Sequence, residues 1–118
     1  MATAVINLKI NQGATFKVIF QKTDNLDVPI NLTGYKAYLQ ARSDKESTTK
    51  LLDLTTEGLD PEIVITEVTG TVTIIVLDED TALLNFNTAY YDLELHAPAG
   101  TVERWIEGIV TLSKEVTR

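Results

Sequence analysis

β-branched residues dominate this sequence: 17 Thr, 10 Val and 10 Ile make up 37 of its 118 residues. Their branched Cβ atoms restrict the side-chain torsion and favour strands over helices. Several segments also alternate apolar and polar residues with a period of two. At residues 16–20, for example, Phe16, Val18 and Phe20 fall on one face. This pattern predicts an all-β protein built from half-buried strands.

About eight such segments follow one another at short spacing with turn residues between them, which is typical of a sandwich or barrel. Residues 78–84 break the alternation. Asp78 can cap a helix there, and Glu79 and Asp80 suit the positive end of the helix dipole. The pattern predicts an antiparallel sandwich or barrel of about 7–9 strands, with one short helix near residues 78–84 and residues 1–118 forming a single domain. Tyr91, which follows this helix, favours the Ig-like antiparallel β-sandwich. The predicted strands are residues 5–10, 14–22, 35–42, 49–54, 63–66, 70–77, 89–96 and 101–113.

Signatures of catalysis and of cofactor binding are missing from the sequence. It has no Cys and a single histidine, His96, which excludes thiolate chemistry and disfavours a transition-metal site. The three serines, Ser43, Ser47 and Ser113, lie in polar loops or at strand ends, outside any nucleophile motif. The six glycines are scattered and form no phosphate-binding loop. We expect a protein that is not an enzyme and that has no catalytic residues, cofactor or metal.

The net charge of −7 is unevenly distributed, with +1 on residues 1–59 and −8 on residues 60–118. An acidic protein is poorly suited to nucleic acid, because binding a polyanion requires Lys and Arg. The longest apolar run, Ile74–Leu77, is too short to cross a membrane, and the N-terminal residues do not match a signal peptide. We expect no nucleic-acid or membrane partner. The acidic half either meets basic groups on an assembly partner or serves only as a solubilising surface.

Two interpretations of Tyr91 are open. It follows the predicted helix and shares a strand face with Leu93 and Leu95. In Ig-like folds a tyrosine at this corner can bond back to the preceding turn through its hydroxyl. The alternative is an ordinary core tyrosine.

A candidate interaction face follows from strand parity. Ig-like topology places the third strand (residues 35–42) and the last two (89–96 and 101–113) in one sheet. Unbroken parity then points Tyr38, Tyr90, Trp105 and Ile109 outward, and Trp and Tyr are enriched at interface hot spots, whereas Gly108 is a plausible position for a bulge that would change this parity. A bulge or a different register would instead place Trp105 in the core. The expected polar rim comprises Lys36, Arg42, Asp92, Glu94, Glu103 and Glu107.

Five short motifs occur in an order that resembles a known family. They are PINLTGY at 29–35, LDLTT at 52–56, TGTVT at 69–73, YDLEL at 91–95, and the closing EG at 107–108 with EVTR at 115–118. Together they resemble a family of small tailed-phage virion structural proteins with an Ig-like β-sandwich, similar to the N-terminal Ig-like domain of phage baseplate upper proteins. The resemblance carries no catalytic residues.

The resemblance implies a non-enzymatic bacteriophage virion protein that acts as a docking or assembly module of the tail or baseplate. Its expected partners are other virion proteins and copies of itself, and its expected location is the virion, assembled in the cytoplasm of the bacterial host. Two alternatives are open: a capsid-decorating (cement) protein, and a carbohydrate-binding module that attaches to a host-surface glycan. The second needs exposed aromatic residues beside convergent polar groups, and the sequence identifies no such polar set.

Overall fold

The computed structural model describes residues 3–117. Within them the chain forms nine strands and one short helix, which confirms the predicted all-β class. The helix, α1 (Asp78–Thr81), lies between β7 and β8. The strands are β1 (Ala4–Val5), β2 (Leu8–Asn11), β3 (Phe16–Gln21), β4 (Lys36–Arg42), β5 (Leu52–Thr55), β6 (Ile63–Thr66), β7 (Thr71–Val76), β8 (Thr88–His96) and β9 (Val102–Ser113).

Two sheets form the sandwich. The larger has the order β1-β9-β8-β4-β5, with β2 also paired to β9, and the smaller has the order β3-β7-β6. The predicted grouping of β4, β8 and β9 in one sheet is therefore confirmed. β1 and β2 run parallel to β9, whereas every other pairing is antiparallel.

Strict alternation on the central strands builds the core. On β4, Ala37, Leu39 and Ala41 are buried, and the residues between them are partly exposed. β7 and β8 repeat this pattern, so the inner faces of the two sheets meet. Each large apolar side chain that is fully removed from water contributes about 2 kcal/mol. The largest fully buried apolar side chains are Ile10, Leu32, Leu39, Ile63, Ile74, Leu93, Leu95 and Ile106.

The first predicted strand is divided in two opposite a glycine on β9. A Cβ atom at Gly108 would lie 2.2 Å from the carbonyl oxygen of Ile6, so only glycine lets the N-terminal segment pass this closely. A side chain takes the place of a backbone hydrogen bond between the strands here: the Asn7 Oδ1 accepts a hydrogen bond from the Ile109 N–H at 3.0 Å. The expected bulge at Gly108 is wrong. The small residue is required there for a close approach of two backbones.

Tyr91 bonds to the N-terminal segment from the core side of the sheet. Its hydroxyl donates to the Ile6 carbonyl, 85 residues earlier in the chain, and its side chain is buried. It does not bond to the turn that precedes β8, so the corner interpretation is wrong and the core interpretation holds. Burial raises the pKa of Tyr91 to about 12.

Helix α1 is shorter than the expected residues 78–84, and its N-cap is Leu77 rather than Asp78. No side chain caps it, although Asp78, Glu79 and Asp80 occupy the first turn as expected. The helix is tied to the β2–β3 turn by the buried Thr81. Its hydroxyl accepts from the Gly13 N–H at 3.0 Å and donates to the Ala14 carbonyl at 2.9 Å.

Tyr91→Phe should lower the free energy of unfolding by about 1 kcal/mol, since it removes one hydrogen bond and leaves the Ile6 carbonyl without that donor. Tyr90→Phe is the matched control: Tyr90 is exposed on the opposite face of the same strand, and we expect no change. Urea denaturation at neutral pH measures both. Equal stability of the two variants would contradict this role for the hydroxyl.

The same pair of variants tests the pKa of Tyr91. The unfolded tyrosine ionises near pH 10 and the folded one near 12, so the unfolded chain loses its proton first as the pH rises. Wild-type stability should therefore contain a component that is present below pH 10 and disappears between pH 10 and 12. Tyr91→Phe should lack this component, whereas Tyr90→Phe should keep it.

Candidate docking face

A concave groove of about 720 Å³ lies on the outer face of the larger sheet. Its floor is made by the outward side chains of β4, β8 and β9, and Val5 and Asn7 from the N-terminal segment and Lys45 from the β4–β5 loop also line it. The volume is in the range of ordinary ligand and peptide sites. We call it the outer groove; its lining residues are Val5, Asn7, Tyr38, Gln40, Arg42, Lys45, Tyr90, Tyr91, Asp92, Glu94, His96, Arg104, Glu107, Gly108 and Ile109.

Three of the four predicted outward residues, Tyr38, Tyr90 and Ile109, line this groove, and so does Glu107 of the predicted rim. Antiparallel pairing brings them together, because Tyr90 is directly opposite Ile109 on β9. Tyr90 is 44% exposed and Ile109 39%, so the two form an accessible apolar pair at one end of the groove. Of the predicted rim residues, Arg42, Asp92 and Glu94 also line it.

Trp105 and the predicted rim residues Glu103 and Lys36 do not line the groove. The outward orientation expected for Trp105 and Glu103 is wrong, and the alternative, in which Trp105 faces the core, is correct. The register of β8 and β9 shifts at this point: Leu93 pairs with Ile106, whereas the next residue, Glu94, pairs with Arg104. Trp105 is thus an extra residue on β9. A bulge of this kind reverses the side-chain parity of the strand beyond it.

Trp105 turns toward the smaller sheet. Its ring meets Phe20 of β3 edge-on, with centroids 6.1 Å apart, and the Lys22 ammonium lies 5.4 Å from the indole centroid. Glu103 follows the same reversal and forms an ion pair with the buried Lys22 at 3.0 Å. Both residues therefore join the two sheets together and leave the outer surface to Arg104.

Arg104 also lines the groove, although sequence analysis did not identify it. It is opposite Glu94, and its guanidinium lies 3.6 Å from Asp92 and 3.5 Å from Glu107. Strict alternation along β9 with Trp105 outward would turn Arg104 inward, and the bulge places it on the outer face. Val5, Asn7 and Lys45 were also missed, because their places in the groove depend on pairings and a loop that no local pattern specifies.

The electrostatic centre of the groove is acidic. Asp92 and Glu107 are directly opposite each other on adjacent strands, and Glu94 lies one outward position along β8. The pKa of Asp92 is raised, chiefly by burial and then by the charge of Glu94; Glu107 adds to this, while Arg104 and Arg42 oppose it. Ionised Asp92 is therefore held in an environment that disfavours its charge.

Polar and aromatic groups also meet at the other end of the groove. The His96 ring packs edge-on against Tyr38 with centroids 4.6 Å apart, and its Nε2 lies 3.2 Å from a Glu94 carboxylate oxygen.

Within residues 3–117, no three His, Cys, Asp or Glu side chains are placed to hold a metal ion. Over the same residues, the one helix is far too short to span a bilayer.

No family model and no curated protein sequence matches this chain. Its fold is similar to the extracellular domain of the voltage-gated sodium channel beta4 subunit, which forms parallel homodimers in cell-cell adhesion. The TM-score is 0.53 at 10% identity, over 98% of this chain and 97% of that one. A structure from photo-crosslinking analyses of cell-adhesive interactions of sodium channel beta subunits has a TM-score of 0.47 at 12% identity, over 96% and 93%. The beta4 likeness confirms the Ig-like sandwich, and at this identity it shows the fold alone.

Trp105→Ala should destabilise the isolated domain by about 2–3 kcal/mol, because it removes the contacts with Phe20 and Lys22 at the junction of the two sheets. Tyr90→Ala is the control from the opposite face of the larger sheet, and we expect a change within about 0.5 kcal/mol. Thermal unfolding followed by circular dichroism compares the two. A Trp105→Ala domain that melts like the wild type would show that the indole does not hold the sheets together.

Proposed function

We propose that this protein is a non-enzymatic docking module of a bacteriophage virion, in the tail or baseplate, that binds a neighbouring protein subunit through the outer groove. The observation that carries the docking proposal is the groove itself. Tyr38, Tyr90 and Ile109 offer apolar surface inside a concave site, with charged groups around them. Aromatic anchors surrounded by a polar rim are the usual composition of a protein interface.

The virion assignment depends on the ordered sequence motifs that resemble tailed-phage proteins. A single compact sandwich with a docking face suits a subunit that acts by assembly, and virion subunits work in many copies. We propose that its partners are other virion proteins and copies of itself, and that it is assembled into particles in the cytoplasm of the bacterial host. A capsid-decorating position is the alternative location within the same function.

Carbohydrate binding is the second candidate function, and one feature of the groove favours it. Gln40 and Asp92 are paired between the positions of Tyr38 and Tyr90, and Arg104 lies 3.6 Å from Asp92, so the floor offers the kind of polar groups that a saccharide requires. The position of Trp105 argues against carbohydrate binding. Its indole was expected on this face, where it could stack on a sugar, and it packs against Phe20 of the smaller sheet instead.

Tyr90→Ala combined with Ile109→Ala should reduce incorporation into virions at least tenfold, since both residues offer exposed apolar surface at the groove. The matched control is Ile19→Ala, which removes a 55% exposed side chain from the smaller sheet and should leave incorporation unchanged. Each variant would replace the wild-type gene in an infected culture, and mass spectrometry of purified particles would measure the amount incorporated.

Three results would overturn the proposal: normal incorporation of the double variant, absence of the wild-type protein from particles, or an equal loss with Ile19→Ala. Saturable binding of a defined glycan by the wild-type domain, lost in the double variant, would establish the carbohydrate function instead. Circular dichroism of each purified variant would confirm that it is folded.

A further inference from the structure

The larger sheet ends at β5 with an open strand edge. Over residues 3–117, β5 pairs with β4 alone. The last strand of the smaller sheet, β6, packs against β4. β5 therefore lies beyond the smaller sheet, and a neighbour can approach its edge without meeting that sheet. An open edge is a template for pairing with another chain, because its N–H and C=O groups have no strand partner.

The backbone of two residues on β5, Asp53 and Thr55, faces this open edge. The Thr56 N–H donates to the Ala37 carbonyl at the start of β4, at 3.1 Å. Along an antiparallel pair, residues that bond to the neighbouring strand alternate with residues that face away from it. In this register Leu54 bonds to β4, and the N–H and C=O groups of Asp53 and Thr55 point outward. Asp53 is exposed and Thr55 is partly exposed, so these groups are available to a partner strand.

The pattern of outward groups on β5 is complementary to itself. A two-fold axis through Leu54, perpendicular to the sheet, turns a second β5 antiparallel to the first and places Asp53 opposite Thr55 of the second copy. Both residues of that pair face the seam, so they can exchange N–H···O=C bonds. Leu54 keeps its bonds to its own β4 and lies opposite Leu54 of the second copy, where side chains come closest.

Charge selects this register over its alternatives. The nearest registers that also match the outward groups are shifted by two residues. They place Asp53 opposite Asp53 or Glu57 of the second copy, and like charges directly opposite each other destabilise a sheet. With the axis at Leu54, Asp53 meets the uncharged Thr55 instead. The same axis brings Lys50, which precedes β5, toward Glu57 at the end of the other β5, so opposite charges approach each other.

The edge of the smaller sheet at β6 does not offer the same site. The Ile75 N–H bonds to the Glu62 carbonyl at 2.8 Å, so alternation turns the Ile63 backbone outward. Ile63 is only 1% exposed, however, and its backbone is therefore covered. Glu62 and Glu67 flank the two ends of β6, so antiparallel self-pairing would also bring like charges together.

The edges on the other side of the sandwich are obstructed. Trp105 of β9 packs against Phe20 of β3, which places β9 over β3. β1 and β2 pair with β9 on the side away from β8, so the larger sheet extends past the β3 edge and a second copy there would collide with it. The edge formed by β1 and β2 is itself interrupted where the chain passes Gly108. Self-pairing is therefore favoured at β5.

We propose that two copies of this chain associate through β5, antiparallel and around a two-fold axis at Leu54, to form one continuous sheet. This surface lies outside the outer groove, and the inference does not depend on the virion assignment. Because the axis is perpendicular to the sheet, both outer grooves lie on the same face of the dimer. The two β8 strands are five strand spacings apart, or about 24 Å. The dimer thus presents two identical grooves side by side.

Sedimentation equilibrium of the full chain tests the seam. The wild type should show a reversible monomer–dimer equilibrium. Asp53→Pro should raise its dissociation constant at least about tenfold, since proline removes an N–H that pairs across the seam and its ring crowds the partner strand. The matched control is Lys17→Pro on β3. The Lys17 N–H also faces an open edge, because the Lys22 N–H bonds to the Gly70 carbonyl in the same register, and we expect self-association to be unchanged.

Disulfide crosslinking tests the register. The chain has no cysteine, so single-cysteine variants report only the introduced positions. Asp53→Cys mixed with Thr55→Cys should crosslink severalfold faster than either variant alone, because only the mixture places cysteines directly opposite each other. The control mixture is Lys17→Cys with Ile19→Cys, which has the same spacing on exposed positions of β3 and should crosslink no faster than its single variants. Mass spectrometry of the peptides identifies each crosslink.

Four results would overturn the inference: a wild type that stays monomeric up to about 1 mM, a dimer that survives Asp53→Pro, an equal loss with Lys17→Pro, or a mixture that crosslinks no faster than its single variants. Circular dichroism shows whether each proline variant is folded, and if Asp53→Pro is not, the crosslinking rates decide. These measurements use purified protein, so they fail separately from the docking proposal, which depends on incorporation of the groove variants into virions.

Discussion

The register between β8 and β9 decides which side chains reach the core and which reach the groove. From Ile106 to Thr111, residues of β9 face the same side as their partners on β8 without interruption. One extra residue, Trp105, then exchanges the two faces of the strand. Because of that exchange the indole and Glu103 contact the smaller sheet, and Arg104 joins Arg42 and Lys45 in the outer groove as the cation beside Asp92 and Glu107. The electrostatics of the groove therefore depend on a single irregularity in the sheet.

The sequence predicted the parts of this structure that depend on local alternation. The outward positions of Tyr38, Tyr90, Ile109 and Glu107 are correct because the pairings around them keep an unbroken period of two. The position of the bulge could not be predicted, because no local pattern marks it, although strict alternation with Trp105 outward would have turned the charged Arg104 inward. The division of the first strand could not be predicted either, because it lies where that strand passes Gly108, about a hundred residues away in the chain.

The fold brings together acidic residues that are far apart in the sequence. The C-terminal half carries −8, with its acids spread over the turns, the helix and the last two strands. Pairing of β8 with β9 gathers three of them into one groove. The fold itself does not imply this, since a structure with the same architecture shares only 10% of its residues with this chain. Any function of the groove lies in these side chains rather than in the sandwich that presents them.

The parallel pairing of the N-terminal segment with β9 has a mechanical consequence. β2 and the end of β9 run in the same direction, with Leu8 beside Val110 and Asn11 beside Ser113. Tension between the two ends of the chain would pull these strands past each other along their length. All their hydrogen bonds would then be loaded at once, in shear, and would resist together, whereas strands peeled apart from one end break one bond at a time. Tension between the start of β2 and the end of β9 would therefore meet resistance until this group of hydrogen bonds breaks together.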